Sequence, residues 1–365
     1  IPEYIKWEAS DNPDSDFNET KAISISLWDH IQKNTLRIDL WVKEMTVDEM
    51  KRFYIDSIGG LGQSLMRATG DEFMSEKINE LCDTLVQYIK NEENIMVYGD
   101  YDVDGTTSVA LLSSFLKSFY PNVATYIPDR YDEGYGVSYQ GIDFAADNDI
   151  SLIIALDCGI KAIDKVAYAS EKNIDFIICD HHRPGAEIPK AVAVLDPKRE
   201  DCDYPYKELC GCGVGFKLMQ AWVIKRELPI DILIPYLDLV ATAIGADIVP
   251  ITGENRILAY HGLKVINSSP RAGIRAILQQ LKKETLTITD VGFIIAPRIN
   301  AAGRMKHGLH AVNLLVEEDQ ETASNFAAEI ETFNSDRRDA DKAITIEALA
   351  QIEELQEQER FTTVV

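Results

Sequence analysis

Ile95-Met96-Val97-Tyr98-Gly99-Asp100-Tyr101-Asp102-Val103-Asp104-Gly105 is the stretch that decides the fold. Four consecutive apolar residues have the length and composition of a short strand buried on both faces. Gly99 interrupts the run, three aspartates alternate with other residues, and Gly105 leads into a helical apolar pattern over 106–119. Strand, loop and helix in immediate succession are the building unit of a parallel sheet. The unit recurs downstream: 123–127 reads as strand, 138–146 as helix, 152–156 as a continuous apolar strand, 161–172 as helix, and 176–179 and 191–195 as two further strands. The predicted fold class is α/β, a parallel sheet covered by helices on both faces. After Gly211 the pattern becomes mostly helical and ends in a long charged helix over about 321–359.

Upstream, the rhythm differs. Residues 4–8, 22–28 and 36–42 read as strands, the last by the alternation of Leu36, Ile38, Leu40 and Val42. A polar turn, 10–19, separates the first two. Thr46-Val47-Asp48-Glu49 has the form of a capping box and opens a helix to about Thr69; Gly70-Asp71 breaks it, and a second helix runs to about Lys90. The predicted organisation is a small α+β domain over 1–92, a core over 93–320 and a connector helix over 321–360. Residues 361–365 begin a further domain, and Ile1 in place of an initiating Met predicts residues upstream.

Apolar residues make up 46% of the 365, ample for a sizeable core. No apolar run reaches the about 18 residues of a membrane helix, and the first residues have no secretory pattern. Cys82, Cys158, Cys179, Cys202, Cys210 and Cys212 form no CxxC pair, which argues against a zinc knuckle and for free thiols in a reducing cytoplasm. The net charge of −24 opposes a nucleic-acid partner at first sight. Its distribution softens this: residues 1–93 carry −9 and 317–360 carry −10, leaving −5 on 94–316. No basic groove is evident.

The chemistry-bearing residues stand just past the ends of predicted strands, where open α/β sheets hold their ligands. They are Asp100, Asp102 and Asp104 after the first strand, Asp157 after 152–156, Asp180-His181-His182 after 176–179, and Asp247 at the end of an apolar helix. Several carboxylates in one site repel unless cations neutralise them, and an imidazole adds a nitrogen ligand suited to Mn²⁺ or Zn²⁺. Together they could hold two ions that clamp a phosphate. Asp-x-Asp-x-Asp-Gly also opens an EF-hand loop, but the twelfth position from Asp100 is Leu111, not Glu. A single aspartate after a strand is ordinarily a turn former or a cap; the joint occurrence in this order is what carries the reading. Gly211-Cys212-Gly213-Val214-Gly215 is not a dinucleotide fingerprint and reads as close packing at a helix start. His30, His261, His307 and His310 read as ordinary surface or core histidines.

These segments resemble the DHH phosphoesterase family, and within it the RecJ-type branch. The carrying residues are Tyr98-Gly99-Asp100-Tyr101-Asp102-Val103-Asp104-Gly105, Leu156-Asp157-Cys158-Gly159, Asp180-His181-His182 and Gly245-Ala246-Asp247-Ile248-Val249-Pro250. Two longer signatures, 128–136 and 296–304, are RecJ-like. The resemblance implies that Asp104, Asp157, His181 and Asp247 hold one Mn²⁺ (or Mg²⁺) ion and Asp102 and Asp157 a second, with Asp100 in support. It implies that His182 contacts the scissile phosphate and that Arg298, Asn300 and Arg304 face a DNA backbone. Arg130 stands between two readings, phosphate contact or structural ion pairing. The implied activity is a metal-dependent 5′-to-3′ exonuclease on single-stranded DNA, in repair and recombination, with Asp100, His182 and Asp157 in the catalytic centre. A single-strand-binding protein or helicase would meet it through regions beyond this chain. Two alternatives stay open: a phosphodiesterase of short oligonucleotides or a small phosphorylated molecule, and a truncated core inactive without a second domain and OB-fold. Residues 1 to about 92 resemble GldC, a gliding-motility-associated protein, on Ile1-Pro2-Glu3, Ile5-Lys6-Trp7, Asn18-Glu19-Thr20-Lys21, Leu36-Arg37-Ile38-Asp39-Leu40-Trp41 and Asp48-Glu49-Met50-Lys51-Arg52-Phe53. This region carries no catalytic constellation and reads as an interaction domain.

Overall fold

A computed structural model describes residues 5–7, 18–20, 22–29, 34–42, 93–281, 283 and 285–355. The chain divides into two units, Ile1–Asn91 with Gln220–Ile232, and Glu92–Met219 with Leu233–Val365. In the first, β1 (Ile5–Trp7) pairs antiparallel with β2 (Asn18–Thr20), and β3 (Ala22–Asp29) with β4 (Asn34–Trp41). The β3–β4 register sets Ile23 opposite Leu40, Ile25 opposite Ile38 and Leu27 opposite Leu36. β2 overlaps the end of the stretch expected as a polar turn, because its pairing with β1 leaves no local pattern. The helices expected from Thr46 to about Lys90, and the residues 361–365, lie outside the described residues.

The second unit is built on five parallel strands. In chain order it runs β5 (Asn94–Gly99), α1 (Val103–Lys117), β6 (Val123–Tyr126), α2 (Tyr139–Asp147), β7 (Ile150–Leu156), α3 (Ile163–Glu171), β8 (Asp175–Cys179) and β9 (Ala193–Leu195). The sheet order is β6-β5-β7-β8-β9, every pair parallel. From β5 the chain crosses to one side for β6, then returns to the other side for β7. The gap between the carboxyl ends of β5 and β7 is therefore the topological switch point, where ligands of such sheets sit.

The apolar runs become strands because both sheet faces are covered. Ile95 to Tyr98 and Leu152 to Leu156 are fully buried. Alternate residues on one face, Met96, Tyr98, Ile153, Ala155, Phe176 and Ile178, form a core with Ile142 and Ala145 of α2 and Val166 and Ala169 of α3. α1 packs against β5 on the other face and in turn meets the helical half. Asp102 caps α1, its Oδ1 accepting from Gly105 N at 3.0 Å, and Ser138 caps α2 through Gly141 N at 2.9 Å.

The helical half comprises α4 (Gly211–Lys225), α5 (Leu237–Ala246), α6 (Gly253–Ser268), α7 (Ala272–Gln279), α8 (Ala296–Met305), α9 (Leu309–Val316) and α10 (Gln320–Leu355). α5 pairs with α6 and α8 with α10. Asp238, fully buried at the start of α5, takes the Arg271 guanidinium at 3.0 Å. Arg271 also reaches the Leu315 carbonyl at 2.9 Å, tying α5, α7 and α9 together. A π-helical turn, Val291–Ile295, runs straight into α8. α10 buries Ala323, Ala327, Ile330, Phe333 and Asn334, while Ile344, Ile346 and Leu349 are exposed.

Candidate metal centre

Every acidic cluster singled out in the sequence stands on the carboxyl edge of the sheet. β5 ends in Asp100 and Asp102, with Asp104 in the first turn of α1; β7 ends in Asp157; β8 ends in Asp180, His181 and His182; Asp247 is the C-cap of α5. The structure brings them together. His181 Nε2 lies 3.1 Å from Asp157 Oδ1, 3.7 Å from Asp247 Oδ2 and 3.8 Å from Asp104 Oδ2. Three sets, Asp100/Asp102/Asp157, Asp104/His181/Asp247 and Asp157/His181/His182, each present ligand atoms within 4.8 Å of one another. Asp157 and His181 each belong to two sets.

The individual side chains are aimed by backbone. Asp104 is 1% exposed. Its carboxylate accepts from Gly211 N at 2.6 Å and Cys212 N at 2.7 Å, the first amides of α4, so a helix N-terminus holds it. This is what the glycine-rich stretch 211–215 does: Gly211 packs closely, as expected, and also binds an anion, which is the chain's own. A Cβ on Gly211 would lie 2.5 Å from Asp157 Oδ1, so no other residue fits there. Asp157 itself has a left-handed backbone, φ 59°, with its N–H on the Cys179 carbonyl at 2.9 Å. That conformation is costly for a residue with a Cβ and concentrates at functional sites. Asp100 Oδ1 accepts from Asp102 N at 2.9 Å.

Asp180 performs the same service for the histidines. Its Oδ1 accepts from His181 N at 2.7 Å and His182 N at 3.1 Å, and lies 2.7 Å from His182 Nδ1; its Oδ2 accepts from Ile160 N at 2.9 Å. Burial pushes the Asp180 carboxyl up, but the bonds from His182 and Ile160 outweigh it and the net shift is downward. The bond from Asp180 raises His182, favouring its imidazolium with Nε2 left to donate. Burial drives His181 the other way, down to about 4, which keeps it neutral and fit to be a ligand.

The carboxylates show the strain of gathered charge. Burial, then repulsion from Asp102, pushes Asp100 up to about 8. Burial, then Asp102, pushes Asp247 up to about 6. Asp104 and Asp157 are raised well above the ordinary range by burial, then respectively by the charges of Asp247 and of Asp104. Asp157 Oδ1 and Asp100 Oδ2 are buried with no hydrogen-bond partner. Uncompensated buried anions and orphaned oxygens are the signature of a place for cations, and a mostly oxygen donor set with one neutral imidazole fits hard or borderline divalent ions.

The outlying arginines divide. Arg130 stacks over Tyr101 at 4.3 Å, and its Nε is buried with no hydrogen-bond partner. Arg304 is exposed at the end of α8, its carbonyl accepting from the Tyr131 hydroxyl at 3.1 Å, and Gly303 backs closely onto the Tyr101 carbonyl, between Asp100 and Asp102. Asn300 is half-buried, with Oδ1 unpartnered. Arg298 departs from the expectation that it faces a nucleic-acid backbone. It is 9% exposed, its Nε lies 2.6 Å from Glu331 Oε2 on α10, and its Nη1 donates to the Ile294 carbonyl at 2.7 Å. A buried fork already filled by a carboxylate and a carbonyl locks α8 to α10. Sequence alone gave no sign of Glu331, 33 residues away.

Residues 94–244 match the family model described as DHH family, N-terminal domain. The chain belongs to the DHH family, whose triplet stands here as Asp180-His181-His182. Within it the similarity is to RecJ. The chain is 39% identical over 291 residues to the single-stranded-DNA-specific exonuclease RecJ of Bacillus subtilis, covering 78% of this chain and 36% of that one. It is 35% identical over 292 residues to the Escherichia coli enzyme of the same description, covering 76% and 51%. A crystal structure of exonuclease RecJ bound to manganese superposes with a TM-score of 0.70 at 32% identity, covering 75% of this chain and 70% of that one. The chain thus spans between about a third and a half of the length of these curated relatives. Residues 2–91 separately match a model described as gliding motility-associated protein GldC-like.

Proposed function

We propose that the core hydrolyses phosphodiester bonds of single-stranded DNA from the 5′ end, releasing 5′-mononucleotides, with two Mn²⁺ or Mg²⁺ ions. The observation that carries this is the convergence of Asp100, Asp102, Asp104, Asp157, His181 and Asp247 on the switch point with their charge uncompensated. The single-stranded-DNA specificity named for its relatives supplies the substrate class. Asp104, Asp157, His181 and Asp247 hold one ion; Asp102 and Asp157 hold the other, supported by Asp100. Bound there, the ions would polarise the phosphate and activate water.

The chain's own groups do the rest. α4 fixes Asp104, and the strained backbone of Asp157 turns its carboxylate between the two ligand sets. Asp180 aims His182 and favours its protonated form, so that Nε2 would donate to a non-bridging phosphate oxygen. Arg130, Asn300 and Arg304 contact phosphates further along the strand, and Arg298 positions α8, which bears the last two. The region up to residue 92 is an interaction module, and α10 is a connector. Among the described residues no helix is long and apolar enough to cross a membrane. The setting we infer is cytoplasmic DNA repair and recombination, where a single-strand-binding protein or helicase would be the partner.

A second reading, hydrolysis of short oligonucleotides, is favoured by one observation. With Arg298 filled by Glu331, only Arg130 and Arg304 of the expected arginines remain for a strand. The test is Mn²⁺-dependent release of mononucleotides from 5′-phosphorylated single strands of increasing length, with Asp157→Ala as control. Release from long strands that vanishes in the control supports the first reading. Release confined to dinucleotides supports the second, and release undiminished in Asp157→Ala defeats both.

A further inference from the structure

Gly134-Tyr135-Gly136 is a three-residue tip beside the metal centre. Both glycines have left-handed backbones, φ 82° and 81°. Space does not demand them: a Cβ on Gly134 would meet nothing within 4 Å, and one on Gly136 only Cys158 Cβ at 4.0 Å. They supply a backbone conformation that other residues rarely adopt. The chain is pegged on either side. The Glu133 carboxylate accepts from Asp129 N at 2.8 Å and the Tyr126 hydroxyl at 3.0 Å, and bonds Ser138 Oγ. The Gly136 carbonyl accepts from the Tyr98 hydroxyl at 3.0 Å, and Ser138 N donates to that hydroxyl at 3.2 Å.

Tyr135 stands between the pegs, its hydroxyl turned toward the Asp100 carboxylate as well as His182. It is 54% exposed. Its ring stands edge-to-face with Tyr101 at 5.8 Å and with His182 at 6.2 Å. Its hydroxyl is 3.5 Å from His182 Nε2, the limit of a hydrogen bond. The other nitrogen of His182 is taken by Asp180, so this is the atom left for a phosphate. The Arg130 guanidinium also lies over the Tyr101 ring. A nucleotide whose phosphate took His182 Nε2 from the phenol would set its base, one sugar away, against the exposed tyrosine ring.

We propose that Tyr135 is the binding subsite for the nucleobase of the nucleotide being released, its hydroxyl yielding His182 to the phosphate while its ring stacks on the base. The proposal rests on the phosphodiesterase reading above. Bases stack on aromatic rings whatever their sequence, so the subsite recognises the nucleobase as a class.

The test is steady-state hydrolysis with Mn²⁺ of two small substrates by the full chain, Tyr135→Ala and Tyr135→Phe. One substrate is a 5′-phosphorylated dinucleotide; the other carries a stable abasic residue at its 5′ position. For the intact dinucleotide, Tyr135→Ala should raise KM roughly 5- to 100-fold, the range of one base–aromatic stack, with kcat within about threefold. The abasic substrate should lose nothing further in Tyr135→Ala, and Tyr135→Phe, which keeps the ring, should recover most of the KM lost in Tyr135→Ala on the intact dinucleotide. An equal loss on both substrates, or none on either, overturns the subsite. If the unmodified chain hydrolyses neither substrate nor a longer 5′-phosphorylated single strand, the phosphodiesterase reading falls, and the subsite with it.

Discussion

The interior of the sheet and the innermost residues of its carboxyl rim are equally buried and differ in everything else. Tyr98 and Asp100 are both 0% exposed and two residues apart; Leu156 and Asp157 are adjacent, at 0% and 1%. On one side of the line the fully buried strand residues are apolar, and the Tyr98 hydroxyl is hydrogen-bonded. On the other, carboxylates face one another, two of their oxygens have no hydrogen-bond partner, and Asp157 holds a left-handed backbone. The interior stabilises the fold, and the rim draws on that stability to keep repelling charges in place. Proteins concentrate such violations of their own rules at functional sites.

The contrast can be broken or sharpened experimentally. The largest effect is expected at the rim: Asp157→Ala should abolish Mn²⁺-dependent hydrolysis yet leave the metal-free protein at least as resistant to urea, since it removes a buried repelling charge. A loss of folding instead would make Asp157 a structural residue. In the interior, Phe176→Ala should destabilise by about 3–5 kcal/mol in urea unfolding, with activity per folded molecule unchanged. Between the two regions, Asp180→Asn removes the carboxylate that aims His182, and a loss of roughly 10- to 100-fold in activity is expected, with little change in melting temperature. The smallest effect is on pH dependence. Asp100 at about 8 and Asp247 at about 6 lie above the unfolded value of 3.8, so the folded chain keeps protons that the unfolded chain releases. Their contribution to stability therefore falls as pH rises from about 4 to about 8, and metal-free melting temperatures should decline over that window. Added Mn²⁺ should flatten the decline, and an unchanged slope would show the carboxylates to be compensated from within the protein.

Much of this architecture was legible in the sequence, for identifiable reasons. Buried parallel strands announce themselves as short apolar runs, so β5, β7 and β8 were found within a residue or two. Ligands at the strand ends follow from topology. What depended on distant partners was not legible. The Arg298–Glu331 pair spans 33 residues, and an arginine in a phosphate-binding pattern looks the same whether or not a carboxylate awaits it. The grip of the α4 amides on Asp104 spans 107. Gly211-Cys212-Gly213 hinted that something must approach closely, without saying what. The pair of left-handed glycines around Tyr135 was visible as Gly-Tyr-Gly, but its nearness to His182 needed the fold.

The central claim is that the rim is a two-cation site in which Asp157 is shared. The most direct measurement is calorimetric titration of the chain with Mn²⁺ at neutral pH, beside Asp157→Ala. The account predicts two ions per chain for the unmodified protein and the loss of both high-affinity sites in the variant. No Mn²⁺ uptake by the unmodified chain, or the same stoichiometry and affinity in the variant, would contradict it.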